Sequence, residues 1–288
     1  MPELVKNGPT GTISDVTNDQ GDTLEPTGDG AADGGRTVLG RLAAIMDAFD
    51  MGEQVLSLAE LSKRSELPKS TVHRLAEQLR AIGWLERDHN NAYRVGMRIF
   101  ELGGLALQRD QLRDTAFPLL QDLAAATGLA VQLGVLDRGE VIYLERIVSR
   151  DFSLPTRLGG RMPAYCTGLG KAMLAFDDLA AEEVMNSEMP RLTDHTITEA
   201  GALRAALDEV RATGVARDVH ESVMGLVCVA APIRNSGRAI AAVSVTGPAD
   251  QMDWGVVSDA VRNTAAGIWN ARFSTSRDRR VGPRRATA

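Results

Sequence analysis

The sequence has few of the residues that would mark a disulfide-rich or metal-built protein. Its two cysteines, Cys166 and Cys228, lie far apart and outside any CxxC spacing, which argues against a disulfide scaffold and a structural zinc site. The four histidines, His73, His89, His195 and His220, form no HxxxH or HExxH pair, so spacing offers no metal site. No apolar run approaches the roughly 20 residues needed to cross a bilayer. The first residues also lack the basic-then-apolar pattern of a secretory signal. The expectation is a cytoplasmic protein without membrane contact. A phosphate loop is missing as well: around Gly168–Lys171 that motif needs glycine and a hydroxyl residue where Tyr165 and Ala172 stand. No cofactor and no catalytic residue is implied.

What is present fits two globular domains. The chain has 288 residues, 44% of them apolar and 24% charged. Its net charge of −6 is unevenly placed. Residues 1–35 hold seven acids against the single base Lys6, so the rest of the chain is neutral. Ten bases and eight acids fall in 36–98, and five arginines with one aspartate close the chain in 277–288. Both tails lack apolar periodicity, and disorder is expected in each.

From Val38 the pattern turns helical, with Leu39, Leu42, Ile45, Met46 and Phe49 at the spacing of one buried face. Ser57 followed by Glu60 makes a capping box for a second helix. Ser65-Glu66-Leu67 reads as a turn, and Pro68 suits the first turn of a third helix that Gly83 stops. Trp84–Arg87 and Ala92–Val95, joined by Asp88–Asn91, read as a hairpin. Helix, helix, turn, helix and hairpin make a winged helix-turn-helix, expected over 36–97.

In the third helix Val72, Leu75, Leu79 and Ile82 form the inward stripe, so Ser70, His73, Arg74 and Glu77 face outward, with Lys69 and Thr71 beside them. Arginine reaches guanine O6 and N7, hydroxyls serve bases or phosphates, and lysine neutralises phosphate. The candidate contacts to double-stranded DNA are therefore Lys69, Ser70, Thr71, His73 and Arg74, with Arg87 and Arg94 on the wing. The residues alone leave two other readings open: a winged helix that binds protein instead of DNA, and a Cys166- or Cys228-dependent enzyme with His195 or His220 as base.

Residues 97–127 read as one or two helices, with 98–112 a linker. Strands are expected at Ala130–Leu136, Val141–Ile147, Val215–Asp218, Val227–Arg234 and Ala239–Gly247, and helices at Gly168–Phe176, Leu179–Asn186, Glu199–Ala212 and Asp253–Phe273. That is an α+β domain over 113–276, a mostly antiparallel sheet flanked by helices. Ser244 and Thr246 share one strand face. The helix opening at Gly168 and Leu169 attracts a carboxylate. Asp218 and Glu221 are further polar candidates, with Leu154, Leu158 and Met162 as an apolar wall. The dull alternative makes the cysteines core residues and Ser244 and Thr246 solvated ones.

Several stretches together resemble the IclR family of bacterial regulators: Ser57–Ser62 with Leu67–Leu75, Tyr93–Gly96, Met162–Ala175, Gly214–Asp218 with Glu221, Gly225 and Cys228–Ile233, and Ala241–Pro248. The likeness spans roughly 36–275. It implies a GAF-like effector domain joined by a linker helix to the winged helix-turn-helix. It also implies homodimers or homotetramers on a palindromic operator, and a repressor or activator of a catabolic operon that senses a small organic or aromatic acid. By this resemblance the effector pocket takes in Gly168, Leu169, Asp218, Glu221, Cys228, Ser244 and Thr246. Tyr165 stands where the family often has histidine and Leu169 where it often has a small residue, which implies a larger or more aromatic ligand.

Overall fold

The computed structural model describes residues 37–49, 54–108, 111–148, 154–235 and 237–278. The expected tail 1–35, and all but the first two residues of 277–288, lie outside the described residues. The chain divides into two compact units between Gly96 and Met97.

The first unit holds α1 (Val38–Asp47), β1 (Val55–Leu56), α2 (Leu58–Arg64), α3 (Lys69–Ala81), β2 (Leu85–Arg87) and β3 (Tyr93–Val95). The capping box forms: Ser57 N–H donates to Glu60 Oε2 at 2.7 Å, and Glu60 N–H donates to Ser57 Oγ at 3.3 Å. Glycine ends α3 as expected. Gly83, at φ 78°, lets its own N–H reach Arg80 O and that of Trp84 reach Leu79 O, closing a Schellman motif. Ile45, Leu56, Leu61, Val72, Leu75, Leu79 and Leu85 are fully buried around Tyr93, each such aliphatic side chain contributing about 1.5–3 kcal/mol by its removal from water.

Three local expectations need correction. Leu39 is 78% exposed, and Ile82 is also exposed. Pro68 is the residue before α3, extended at ψ 139°, and its carbonyl accepts the Val72 N–H at 3.0 Å that opens the helix. The wing sheet has a third strand, β1, on the far side of β3, in the order β1-β3-β2. Two residues are too few to show a period of two.

The second unit runs α4 (Met97–Gln108), α5 (Gln111–Thr127), β4 (Ala130–Asp137), β5 (Glu140–Ile147), β6 (Arg161–Pro163), α6 (Gly168–Leu174), α7 (Asp178–Met185), α8 (Ala200–Thr213), β7 (Ala216–Val219), β8 (Leu226–Arg234), β9 (Ala239–Pro248) and α9 (Trp254–Asp278). Its six strands form one antiparallel sheet, β6-β5-β4-β9-β8-β7. Strand β6 was not foreseen; it pairs with β5 over three residues.

Alternation sorts the sheet into two faces. Val131, Leu133, Val227, Val229, Ala231, Val243 and Val245 point to one side, where α5 and α9 cover them through Leu120, Leu123, Val261 and Ile268. Their neighbours Ala230 and Ala242 point to the other side, against α6, α7 and α8, through Leu169, Met173, Val184, Leu203 and Leu207. On this second face, Gln132, Asp218, Cys228, Ser244 and Thr246 are buried where aliphatic residues would be the default.

Candidate DNA-reading face and effector cleft

Helix α3 turns Val72, Leu75, Ala76 and Leu79 into the core. Lys69, Ser70, His73 and Arg74 are exposed on the opposite side, and Thr71 is half-buried between. Among the described residues, neither Lys69 nor Arg74 has an ion-pair partner. Two positive side chains, two hydroxyls and an imidazole thus stand on the N-terminal half of a helix whose other face is locked in place. Such a rod fits a DNA major groove.

The wing arginines are held differently. Arg87 donates to the Tyr93 hydroxyl at 2.6 Å and pairs with Glu77 of α3 at 2.8 Å, while the Tyr93 hydroxyl donates to Glu77 at 3.2 Å. Glu77 also accepts from Arg80, and these cationic partners hold its carboxyl below the usual range. Arg87 therefore fastens the wing to α3. Arg94 pairs with Glu86 across the hairpin at 2.8 Å with both side chains largely exposed, a pairing weak enough to exchange for a phosphate.

In the second unit, a cleft of about 430 Å³, open mouth included, lies between the second face of the sheet and the start of α6. Register builds its floor: Asp218 of β7 pairs with Cys228 of β8, which pairs with Thr246 of β9, while Ser244 pairs with Gln132 of β4. Gly168 and Leu169 form the roof, and Leu154 and Met162 the apolar wall. Glycine is required at both turns of this roof. A Cβ on Gly168 would lie 2.8 Å from Cys228 Sγ, and one on Gly170 would lie 2.2 Å from Ala164 O. Thr167 caps α6 by accepting the Gly170 N–H at 3.1 Å, and Gly168 and Leu169 of its first turn line the cleft.

Polar groups line the floor in a chain. Thr246 Oγ1 donates to Gln132 Oε1 at 3.3 Å, and Gln132 Nε2 donates to Thr156 Oγ1 at 2.6 Å. Ser244 Oγ is buried and, among the described residues, has only the weakly bonding Cys228 thiol close to it, so it can donate a hydrogen bond to a ligand group or accept one. Asp218 Oδ1 accepts from Glu221 N–H at 2.7 Å and Oδ2 from Ser222 Oγ at 2.6 Å. Burial nevertheless raises the Asp218 carboxyl above its ordinary value, against the pull of those bonds and of Lys171. Burial, with Asp218 adding to it, also pushes the Cys228 and Cys166 thiols up to about 12.

Of the residues singled out in the sequence, Gly168, Leu169, Asp218, Cys228, Ser244 and Thr246 line this cleft. Glu221 does not. Its carboxylate pairs with the buried ammonium of Lys171, and both residues line a separate cavity of about 690 Å³ beside α8 and β7. Tyr165 is turned away too, its hydroxyl donating to Pro190 O at 2.6 Å, and Leu158 is half-exposed. Gln132, Tyr143, Thr156 and Ser222 line the cleft unforeseen. Gln132 carried the one usable signal, a polar residue inside an otherwise apolar strand.

Two family descriptions cover the chain in order: "IclR helix-turn-helix domain" matches residues 38–89, and "Bacterial transcriptional regulator IclR C-terminal" matches 104–268. The chain belongs to the IclR family of bacterial transcriptional regulators. Among IclR relatives, the glycerol operon regulatory protein of Streptomyces griseus is 34% identical over 80% of this chain and 94% of its own length. The regulator BhcR of Paracoccus denitrificans is 36% identical over 82% and 88%. Among solved structures, an IclR homolog from Microbacterium hydrocarbonoxydans complexed with 4-hydroxybenzoate superposes with a TM-score of 0.73, at 29% identity over 81% of this chain and 98% of its own. The IclR assignment makes this a DNA-binding regulator with a winged helix-turn-helix and an effector domain. Among the described residues, no helix is long and apolar enough to cross a membrane.

Proposed function

We infer that this IclR-family chain represses or activates a catabolic operon from the cytoplasm, reading its operator with α3 and sensing a small organic or aromatic acid in the cleft under α6. Lys69, Ser70, Thr71, His73 and Arg74 contact the groove, Arg94 contacts the backbone, and Arg87 holds the wing in register with α3. The observation that carries the reading is the outward set on α3, above all the exposed Lys69 and Arg74, which have no ion-pair partner among the described residues, opposite a buried stripe. Gly168, Leu169, Asp218, Cys228, Ser244 and Thr246 contact the ligand. The relatives named above, one for a glycerol operon and one crystallised with 4-hydroxybenzoate, support a catabolic role and an organic ligand of this size.

The protein works as a homodimer or homotetramer. Leu39 on α1, and Phe100 and Leu105 on α4, are large apolar side chains at 78%, 75% and 60% exposure, which suits surfaces covered in an oligomer. The cysteine-dependent enzyme reading is disfavoured, because burial raises both thiols and keeps them from the thiolate form. Footprinting on DNA upstream of the protein's own gene, at low salt, tests the assignment. A protected pseudo-palindrome whose occupancy changes with ligand is expected. Uniform, sequence-independent coating of the fragment would overturn it.

A further inference from the structure

The cleft's charge inventory is lopsided. Among the described residues that line it, none is lysine, arginine or histidine, and Asp218 is the one carboxylic acid. The nearby cation, Lys171 of α6, is already committed to Glu221 and faces the other cavity. Asp218 is 4% exposed. The ionisable groups arrayed round it are Lys171 from α6, Tyr143 from β5, Cys166 from the turn before α6, Cys228 from β8, and Glu221 from its own loop. Of these only Lys171 is positive, and two carboxylates share it.

An organic anion entering this floor meets a like charge. The row Asp218, Cys228, Thr246 runs across three neighbouring strands, about 10 Å in all at the usual strand spacing. A ring-sized ligand on Cys228 therefore lies within one strand of Asp218 wherever it sits. Hydroxyls of Ser244, Thr246 and Tyr143, and the N–H groups at the start of α6, can bond a carboxyl group but carry no full charge to cancel it. Two carboxylates crowded into one site raise one another's pKa, so one of them takes a proton.

We propose that the cleft takes a monocarboxylate together with one proton from solvent, shared between its carboxyl group and Asp218, and that dianions are rejected. This rests on the reading of the cleft as the effector site. Burial already raises the Asp218 carboxyl, so part of the proton's cost is met before the ligand arrives. Ser244 Oγ, buried on the cleft floor, then bonds the carboxyl oxygen that does not face Asp218. Selectivity follows from charge: one ligand carboxyl is matched by one proton, and a second meets no cation among the described lining residues.

Calorimetric titration of the full-length protein between pH 5.5 and 8.5, in two buffers of different ionisation enthalpy, tests this. The probes are acetate, benzoate and 4-hydroxybenzoate, with benzamide as neutral control and phthalate as dianion. Monocarboxylate affinity is expected to fall about tenfold per pH unit above the Asp218 pKa, with one proton taken up per ligand. Benzamide affinity stays flat and phthalate does not bind. In Asp218→Asn the amide still accepts the Glu221 N–H, so benzoate affinity becomes flat with pH and exceeds that of the parent at pH 8. Monocarboxylate binding without proton uptake at pH 8.5 overturns the proposal and leaves the effector site standing. If neither acids nor benzamide bind, the effector reading of the cleft falls, and the proposal falls with it. Should Asp218→Asn fail to fold by circular dichroism, the proton count on the parent protein alone decides.

Discussion

The reading face of α3 and the floor of the cleft are both polar, yet they treat charge in opposite ways. On α3, Lys69 and Arg74 stand exposed without ion-pair partners among the described residues, and the burial lies entirely on the other side of the helix. In the cleft, Asp218, Gln132, Ser244 and Thr246 are buried, and the cation Lys171 is bound internally to Glu221. A DNA backbone brings its own negative charge, so a protein that reads it can leave cations in water at little cost. A small ligand brings few compensating groups, so its site must settle charge beforehand. The contrast predicts that substitutions on α3 alter binding without altering stability, and that substitutions around the cleft alter both.

The sharpest test of that contrast is Lys171→Met. Removing the ammonium strands the Glu221 carboxylate in the interior, and the second unit should lose about 3–5 kcal/mol. The double change Lys171→Met with Glu221→Leu should recover most of that loss. Denaturant unfolding of the full chain reads both, and equal instability of the single and double variants would break the account of the pair. Gly168→Ala comes next. Its methyl, placed 2.8 Å from Cys228 Sγ, costs roughly 1–3 kcal/mol of stability by overpacking and weakens the ligand response, while operator affinity without ligand stays unchanged. An unaltered ligand response in a gel-shift titration would remove Gly168 from the site. The smallest effect belongs to Arg87→Gln, whose partly exposed pair with Glu77 contributes under about 1 kcal/mol to stability. Operator affinity should fall more than stability does, since the pair sets the angle of the wing; a fall matched by the change in unfolding midpoint would make Arg87 merely structural.

Local rules made much of this fold legible. Ser57 with Glu60, and Gly83 after α3, announced helix ends through bonds that span three to five residues. The long strands β8 and β9 announced themselves by their apolar content. What stayed hidden depends on partners remote in sequence. Leu39 belongs to the apolar spacing of α1, but nothing in that spacing shows that the unit alone leaves it exposed. Glu77 and Arg87 are ten residues apart and meet only once the wing folds back on α3. Glu221 sits beside cleft residues in the chain, but Lys171, fifty residues earlier, draws its carboxylate to the other side. Gln132 and Thr156 enter the cleft through the β4–β9 register and a loop, neither of which composition can fix. The residues singled out by resemblance, Glu221 apart, gather in one cleft, and the sheet register decides which side chains line it.

One comparison bears most directly on the central claim, that the outward face of α3 reads DNA. Fluorescence anisotropy with DNA upstream of the protein's own gene should be followed across a range of salt for the parent and for Arg74→Ala, alongside their thermal unfolding. The account expects unchanged unfolding, a steep decline of parent affinity with salt, and a loss of about 1–3 kcal/mol for Arg74→Ala on the specific site with little on unrelated DNA. Equal affinity of the two proteins for the specific site, at every salt concentration, would contradict it.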